Sequence, residues 1–455
     1  MRRRTLVAVL FAIAGSAIPS CAFAQAPCTP LPPPSGVAAK VSGTFVVLTW
    51  TAPEGAPLGY VVEAGSAAGR SDVSVTQIDN GATEFKTDAP PARYYVRVRA
   101  RDACGPGQPS SDIVVVVGVY QDHPDILVAA RTPTRNPYFP SVTRITGGRL
   151  LAAYYDSPAH LSTVGRISMV ESRDDGRTWS PPRVVLDTKW DDRDPNLTIT
   201  RSGRLLLSYF AVDNGPAQSA GQSVGVFVVR SDDDGATWSE PARVETPLMG
   251  AATSSKIVET SNGDLLIPLY GANDDESRSR VTIVRSRDGG RTWPRLGTLD
   301  VAAVPGIDLS EPALAIAGER MLVIMRSNRS DSVAYATWSL DGGVTWSQPS
   351  TFGMAAQASE LEPVPGAPAM TLMHVWADWS HHWGDSRPTV AQPVRWPAGA
   401  KAPEFGEPRL LYNSNCDDTG YPSATFLGDG RMFVAFYDAC LGYIGGTYVP
   451  AGAAR

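Results

Sequence analysis

The residues Ser172–Trp179 read Ser-Arg-Asp-Asp-Gly-Arg-Thr-Trp, and the pattern Ser-x-Asp-x-Gly-x-Thr-Trp returns at Ser231–Trp238, Ser286–Trp293 and Ser339–Trp346. In such a stretch the Asp bonds nearby backbone amides, the Gly takes a positive φ, and the Trp packs under the turn. The pattern therefore predicts one hairpin turn used four times. Because every copy needs its acid for the turn itself, we interpret these aspartates as structural rather than catalytic.

A second repeat runs in phase with these turns and consists of a tight turn followed by an apolar strand. It occurs at Gly147–Tyr155, Ser202–Phe210, Asn262–Tyr270, Gly318–Arg326 and Asp429–Tyr437, with a degraded copy at Ala367–Trp376. Units spaced by roughly 50 to 60 residues have the length of a four-stranded propeller blade. The repeat predicts a six-bladed β-propeller over residues 125–455.

The segment 30–118 alternates apolar and polar residues on a strand period, with turn-rich stretches between the strands. Tyr94–Ala100 illustrates this, because its apolar residues share one face and its two arginines the other. Together with Leu48–Trp50 and Tyr60–Gly65, this stretch resembles fibronectin type III domains. The prediction is thus an all-β chain, with a fibronectin type III-like β-sandwich before the six-bladed β-propeller.

The amino terminus has the order of a secretory signal: three arginines, the apolar run Leu6–Ala14 and the small-residue site Ala22–Ala24. We predict a signal peptide over residues 1–24 and a secreted or periplasmic protein. The apolar run is shorter than the roughly 20 residues that a bilayer core requires, so no transmembrane segment is predicted. A lipid anchor at Cys21 is the alternative.

The net charge of −6 and the pI near 5.5 argue against a nucleic-acid partner, which needs clustered Lys and Arg. After removal of the signal four cysteines remain, and they permit three connectivities. Local pairing favours Cys28–Cys104 and Cys416–Cys440. The sequence has no Cys-x-x-Cys or His-x-x-x-His spacing, so neither a metal nor another cofactor is expected.

The four Ser-x-Asp-x-Gly-x-Thr-Trp stretches resemble the Asp boxes of sialidase-type propellers. In that family a Tyr nucleophile is activated by a Glu, three Arg bind the substrate carboxylate, and an Asp serves as acid and base. The resemblance implies a glycan partner and a site on strand ends where the blades converge.

Four residues match the family in order and spacing. Tyr421, within Gly420–Ser423, stands where the nucleophile is found, and Glu311, followed by Pro312, stands where its base is found. Arg326 lies fifteen residues after Glu311, and Arg387 lies 34 residues before Tyr421, which are the places of two substrate-binding arginines.

Two departures from the family pattern stand beside these matches. Tyr138 occupies the place of the first family Arg, so Arg135 or Arg193 would have to complete the set. The loop Leu161–Arg166 lacks the expected acid, and Asp156 is the nearest substitute. Asp192 and Asp194 are the next candidates for this acid.

These observations predict an exported glycoside hydrolase that acts on a terminal sugar, either sialic acid or another anionic sugar. The alternative is a carbohydrate-binding or adhesion protein without catalysis, which the missing acid favours.

Overall fold

The computed structural model describes residues 29–42, 44–90, 92–117, 124–214, 222–273, 278–367, 370–380, 383, 386–414, 416–450 and 452. Across these residues the chain forms β-strands and no α-helix, which confirms the all-β prediction. No helix within the described ranges is long and apolar enough to cross a membrane. The predicted signal peptide, Cys21 and Cys28 lie outside the described residues.

Contacts divide the chain into two compact units, one mostly before residue 116 and the other mostly after it.

The amino-terminal region forms two sheets. Its strands are β1 (Ser35–Ser42), β2 (Phe45–Thr51), β3 (Gly59–Gly65), β4 (Ser74–Ile78), β5 (Glu84–Asp88), β6 (Ala92–Asp102), β7 (Gly105–Pro109) and β8 (Ile113–Val117). One sheet has the order β1-β2-β5, and the other has the order β4-β3-β6-β7 with β8 beside β6. Trp50 and Tyr60 are buried with their ring centroids 5.1 Å apart, edge to face. Aromatic burial of this kind supplies much of the stabilisation of a small sandwich core.

The rest of the chain forms six sheets of four or five antiparallel strands. The first sheet contains β10 (Asn136–Arg144), β11 (Leu150–Ser157), β12 (Arg166–Ser172) and β13 (Arg183–Leu186). The second contains β14 (Asp191–Ile199), β15 (Leu205–Asp213), β16 (Gln222–Ser231) and β17 (Ala242–Arg243). The third contains β18 (Met249–Ala252), β19 (Val258–Glu259), β20 (Leu265–Ala272), β21 (Ser279–Ser286) and β22 (Leu299–Ala302).

The fourth sheet contains β23 (Leu309–Ala317), β24 (Arg320–Ser327), β25 (Tyr335–Ser339) and β26 (Ser350–Thr351). The fifth contains β27 (Ala356–Pro363), β28 (Met370–Asp378), β29 (Thr389–Trp396), β30 (Glu404–Phe405) and β31 (Arg409–Tyr412). The sixth contains β32 (Thr419–Phe426), β33 (Met432–Asp438) and β34 (Tyr443–Val449), and its fourth strand is β9 (Ile126–Ala130). Strand β10 contacts both β14 and β32, so the first sheet touches the second and the last.

The four predicted hairpin turns share one hydrogen-bond pattern. In the first, Ser172 Oγ accepts a bond from the Gly176 amide at 2.9 Å, while the Asp174 carboxylate accepts from the amide and the hydroxyl of Thr178. The other three turns repeat these bonds around Asp233, Asp288 and Asp341. Each carboxylate is therefore occupied by its own turn.

A buried ionic cluster joins three of the sheets. Lys256, which follows β18, places Nζ 2.9 Å from Glu360 and 3.4 Å from Glu362, both on β27, and donates to the Ala424 carbonyl on β32. Glu360 also accepts bonds from Ser423 Oγ and the Ala424 amide. A buried carboxylate is tolerated only when it is paired and hydrogen-bonded in this way.

Five of the six sheets carry a bulge with a non-glycine residue in their first strand. At each of these five bulges the register with the neighbouring strand shifts, and a residue other than glycine takes a φ between 42° and 48°. These residues are Phe139, Asp194, Glu311, Ala358 and Tyr421. The first strand of the third sheet has the same shift, but there Gly250 takes the positive φ. An L-residue pays roughly 1–2 kcal/mol for this left-handed backbone. A bulge redirects the side chain that it carries, and bulges occur frequently beside active sites.

Candidate active site

The bulges bring Tyr421 of the sixth sheet and Glu311 of the fourth sheet together. The Tyr421 hydroxyl donates a hydrogen bond of 2.6 Å to Glu311 Oε1. Glu311 is 6% exposed, whereas Tyr421 is only partly buried. Burial, followed by the negative charges of Glu311 and Asp194, raises the pKa of Tyr421 well above its ordinary value. The phenol therefore keeps its proton at rest and needs a base to lose it.

Arg326 and a backbone amide hold Glu311 in place. Arg326 stands opposite Ser310 in the pairing of β23 with β24, and its guanidinium donates to Glu311 Oε1 at 2.8 Å. The Ala358 amide donates to Oε2 at 3.0 Å. The charge of Glu311 is the first cause of a raised pKa at Arg326, whose side chain is 34% exposed. One carboxylate thus accepts from the phenol, a guanidinium and an amide.

Asp194, the bulge residue of the second sheet, faces the same centre. It is 6% exposed, and no donor among the described residues bonds to its Oδ1. Burial raises its pKa to about 7, although the charge of Arg193 acts in the opposite direction. A buried carboxyl oxygen without a bonding partner is uncommon in native proteins and calls for an explanation.

The other predicted arginines bond to the protein itself. Arg193 donates to the His160 carbonyl at 2.9 Å and lies 3.6 Å from Asp191. Arg387 donates to the Tyr437 hydroxyl at 2.6 Å and to the Thr419 carbonyl, and its side chain is 9% exposed.

Arg135 donates to the carbonyls of Asp156 and Val164, so it fastens the loop after β11. Of the predicted arginines, Arg326 is therefore the one that bonds to the Tyr421 and Glu311 pair.

The structure does not bring Asp156 or Tyr138 into the Tyr421 and Glu311 hydrogen bonds. Asp156 accepts bonds from Arg166 Nε at 2.8 Å and Ser168 Oγ at 2.9 Å. Tyr138 is 5% exposed and packs in an aromatic cluster with Phe139 and Tyr155. Phe139, the bulge residue beside it, has its ring centroid 4.5 Å from that of Tyr421.

His160 directly precedes the loop that lacks the family acid. His160 Nδ1 lies 3.0 Å from both oxygens of Asp418, and Asp418 also accepts a bond of 2.6 Å from the Tyr437 hydroxyl. Burial of Asp418 acts to raise its pKa, but the bonds from His160 and Tyr437 outweigh it and lower the pKa. This chain of bonds fixes the wall of the site beside Arg387.

A cavity of about 20 Å³ lies between the bulges. It is lined in part by Asp194, Ser254, Glu360 and Tyr421. This volume suffices for one water molecule. Ser254 Oγ is buried and, like Asp194 Oδ1, has no partner among the described residues.

One group of possible metal ligands meets within the described ranges, at Cys416, Asp438 and Cys440. The two sulfurs of this group form a disulfide, so they are not available to a metal.

The sequence contains a signal for Asp194 that the motif comparison missed. Pro140, Pro195 and Pro422 each stand ten residues before the first apolar residue of the next strand, which is Leu150, Leu205 and Met432 respectively. Pro312 stands nine residues before Met321. The residue before each proline is the bulge residue. Aligning these four prolines would have placed Asp194 beside Glu311 and Tyr421.

Two family models match the chain. The BNR repeat-like domain matches residues 193–434, and the fibronectin type III domain matches residues 32–116. A sialidase from Bacteroides fragilis is 26% identical over 203 residues, which cover 41% of this chain and 34% of that protein. The chain thus spans about a third of the length of this curated relative.

Solved structures share the fold at low identity. A protein of unknown function from Dyadobacter fermentans is 20% identical with a TM-score of 0.62, and the match covers 72% of this chain and 98% of that one. A sialidase from Streptococcus pneumoniae is 11% identical with a TM-score of 0.55, covering 89% of this chain and 94% of that one.

Proposed function

This chain belongs to the BNR repeat-like domain family, and from this premise we propose that it is a glycosidase that removes a terminal sugar from a glycan. The predicted resemblance to sialidase-type repeats and to a fibronectin type III domain is confirmed. The observation that carries the proposal is the 2.6 Å bond from the partly buried Tyr421 phenol to Glu311. A nucleophile within hydrogen-bond reach of its base, with the base held by a third group, is the arrangement that covalent catalysis requires.

In the proposed reaction Tyr421 attacks the anomeric carbon of the sugar. The phenol proton passes to Glu311 as the bond from oxygen to carbon forms, and the bond to the leaving oxygen breaks. That oxygen takes a proton from an acid of the site. A water molecule then attacks the same carbon and gives a proton to the conjugate base of that acid, while Glu311 returns its proton to the departing Tyr421 oxygen. Two displacements at one carbon retain its configuration.

The sugar approaches the partly exposed Arg326 and Tyr421 from solvent, because the cavity that Tyr421 lines has room for only one water molecule. The charges around this entrance nearly balance. Arg193 faces Asp191, Arg326 faces Glu311, and Arg387 lies 3.7 Å from Asp418. The proposal therefore covers terminal sugars in general and is not restricted to sialic acid.

We also propose that the six sheets form the blades of a six-bladed propeller and that the chain is exported. The contact of the first sheet with the last, and the pairing of β9 with β34, support the ring. The charged, apolar and small-residue order of the first 24 residues supports export.

The test is turnover of a panel of 4-methylumbelliferyl glycosides that includes an α-sialoside, an α-L-arabinofuranoside and a β-glucuronide. We expect the wild-type protein to cleave at least one. Tyr421→Phe and Glu311→Gln should each lower kcat by at least about a hundredfold. Asp156→Asn is the matched control, because this carboxylate bonds to Arg166 and Ser168 instead. Glycan binding without turnover of any substrate would favour the non-catalytic alternative and end the proposal.

A further inference from the structure

We propose that Asp194 is the acid that protonates the leaving oxygen and then, as a carboxylate, accepts a proton from the attacking water. The inference rests on the proposed function and adds the group that the family pattern places in a different loop. It assigns the acid to the first strand of the second sheet. The nucleophile and its base then come from equivalent positions in the sixth and fourth sheets.

Asp194 occupies the same position in its strand as Glu311 and Tyr421 do in theirs. Asp194, Glu311 and Tyr421 are each the bulge residue before a proline, with φ of 46°, 47° and 42°. The register of the first strand shifts across each of the three bulges. Because the backbone has the same conformation at all three, it directs the three side chains toward a common centre. Asp194 and Tyr421 line the same cavity.

One carboxyl oxygen of Asp194 lacks a hydrogen-bond donor within the described part of the chain. Asp194 Oδ1 is buried and receives no hydrogen bond from any described residue. A carboxyl held for structural reasons would be expected to have such donors. Burial penalises the charged form, so the neutral acid, which carries its own proton, is favoured over the carboxylate at this position.

The two neighbouring acids accept hydrogen bonds from described residues, whereas Asp194 Oδ1 accepts none from them. Asp191 accepts from the Tyr155 hydroxyl and the Gly165 amide. Asp192 accepts from the amide and the hydroxyl of Thr188. Donors that point at a carboxylate stabilise its charge. Burial raises the pKa of Asp191 and raises that of Asp192 to about 6, but neither residue lines the cavity that Asp194 shares with Tyr421.

Both signs of charge surround Asp194. The charges of Arg193, Glu311, His160 and Asp191 affect the pKa of Asp194. The charge of Asp194 in turn raises the pKa of Tyr421 and Tyr270. Burial is the largest influence and raises the pKa of Asp194 to about 7. The acid form is therefore present below neutral pH, and the activity that depends on it should fall as the pH rises above about 7.

The test is leaving-group dependence in the variant Asp194→Asn. For the sugar that the wild-type protein releases, an alkyl glycoside and a 2,4-dinitrophenyl glycoside are compared. The alkoxide needs a proton to depart, whereas dinitrophenolate does not. We expect Asp194→Asn to lose about 10²- to 10⁴-fold in kcat/KM on the alkyl glycoside. It should lose far less on the dinitrophenyl glycoside and should lack the alkaline limb of the pH profile. Asp192→Asn, which changes the adjacent buried acid, is the control and should keep the limb.

Three outcomes separate this inference from the proposed function. If Asp194→Asn retains wild-type activity while Tyr421→Phe is inactive, Asp194 is not the acid and the glycosidase proposal stands. An equal loss on both glycosides would mean that Asp194 only positions other groups, which also overturns the inference. If the wild-type protein cleaves no glycoside at all, both proposals fall.

Discussion

Replacing Asp194 by Asn should make the protein more stable at alkaline pH, although it removes the proposed acid. The folded protein holds the proton of Asp194 up to a pKa of about 7, whereas the unfolded chain releases it near the ordinary value of 3.8. A folded-state pKa that is raised lowers stability as the pH climbs from about 4 to about 7. Asn has nearly the same shape and cannot ionise, so the variant escapes this loss.

The size of the effect follows from the pKa difference. Raising the pKa from 3.8 to about 7 corresponds to about 4 kcal/mol of stability lost by the wild-type protein above pH 7. Asp194 is only 6% exposed, so solvent screening reduces this figure little. At pH 4 both side chains are neutral in the folded state, and the two proteins should differ by less than about 1 kcal/mol.

The assay is urea unfolding followed by tryptophan fluorescence from pH 4 to pH 8.5, with Asp156→Asn as the control. We expect the stability advantage of Asp194→Asn to grow across the window and to level off above pH 7. The control loses an acceptor of Arg166 and Ser168, so it should be less stable than the wild-type protein at neutral pH. A variant that is no more stable than the wild-type protein at pH 8 would refute the reasoning.

Three further variants test the scaffold by urea unfolding at pH 7. Lys256→Met leaves two buried glutamates without their cation and should cost about 3–5 kcal/mol; adding Glu362→Gln should restore part of that loss, and an unchanged midpoint would contradict the burial argument. Ser231→Ala removes the acceptor of the Gly235 amide and should cost about 1–3 kcal/mol, against no change for the exposed Ser261→Ala. Replacing Cys416 and Cys440 by Ser opens a loop of sequence separation 24 and should cost about 3 kcal/mol; equal stability of reduced and oxidised wild-type protein would argue against it.

The repeats were predictable because each turn is a local structure. Ser, Asp, Gly and Thr satisfy one another within eight residues, so the pattern is visible without any knowledge of distant contacts. The apolar strand of each repeat could likewise be predicted to be buried, because its own residues are apolar. The disulfide from Cys416 to Cys440 is present in the structure, whereas the pairing of Cys28 with Cys104 stays a prediction because Cys28 lies outside the described residues.

The site was only partly accessible from the sequence because its residues are separated along the chain. Glu311 and Tyr421 are 110 residues apart and could be paired in advance only through a known motif order. Asp194 departs from that order, and only the bulge explains where its side chain points. The partners of Arg387 and Arg193 depend on the packing of strands from different sheets, which local patterns do not encode.

The bulge of the fifth sheet holds a methyl group where its equivalents hold a phenol and two carboxyls. Ala358 has the same left-handed backbone, with a φ of 46°, and uses only its amide to hold Glu311. A new functional group introduced there would enter a reaction centre whose backbone already accepts a side chain at that point. Substitution of Ala358 alone would therefore add a functional group to the site without any redesign of a loop.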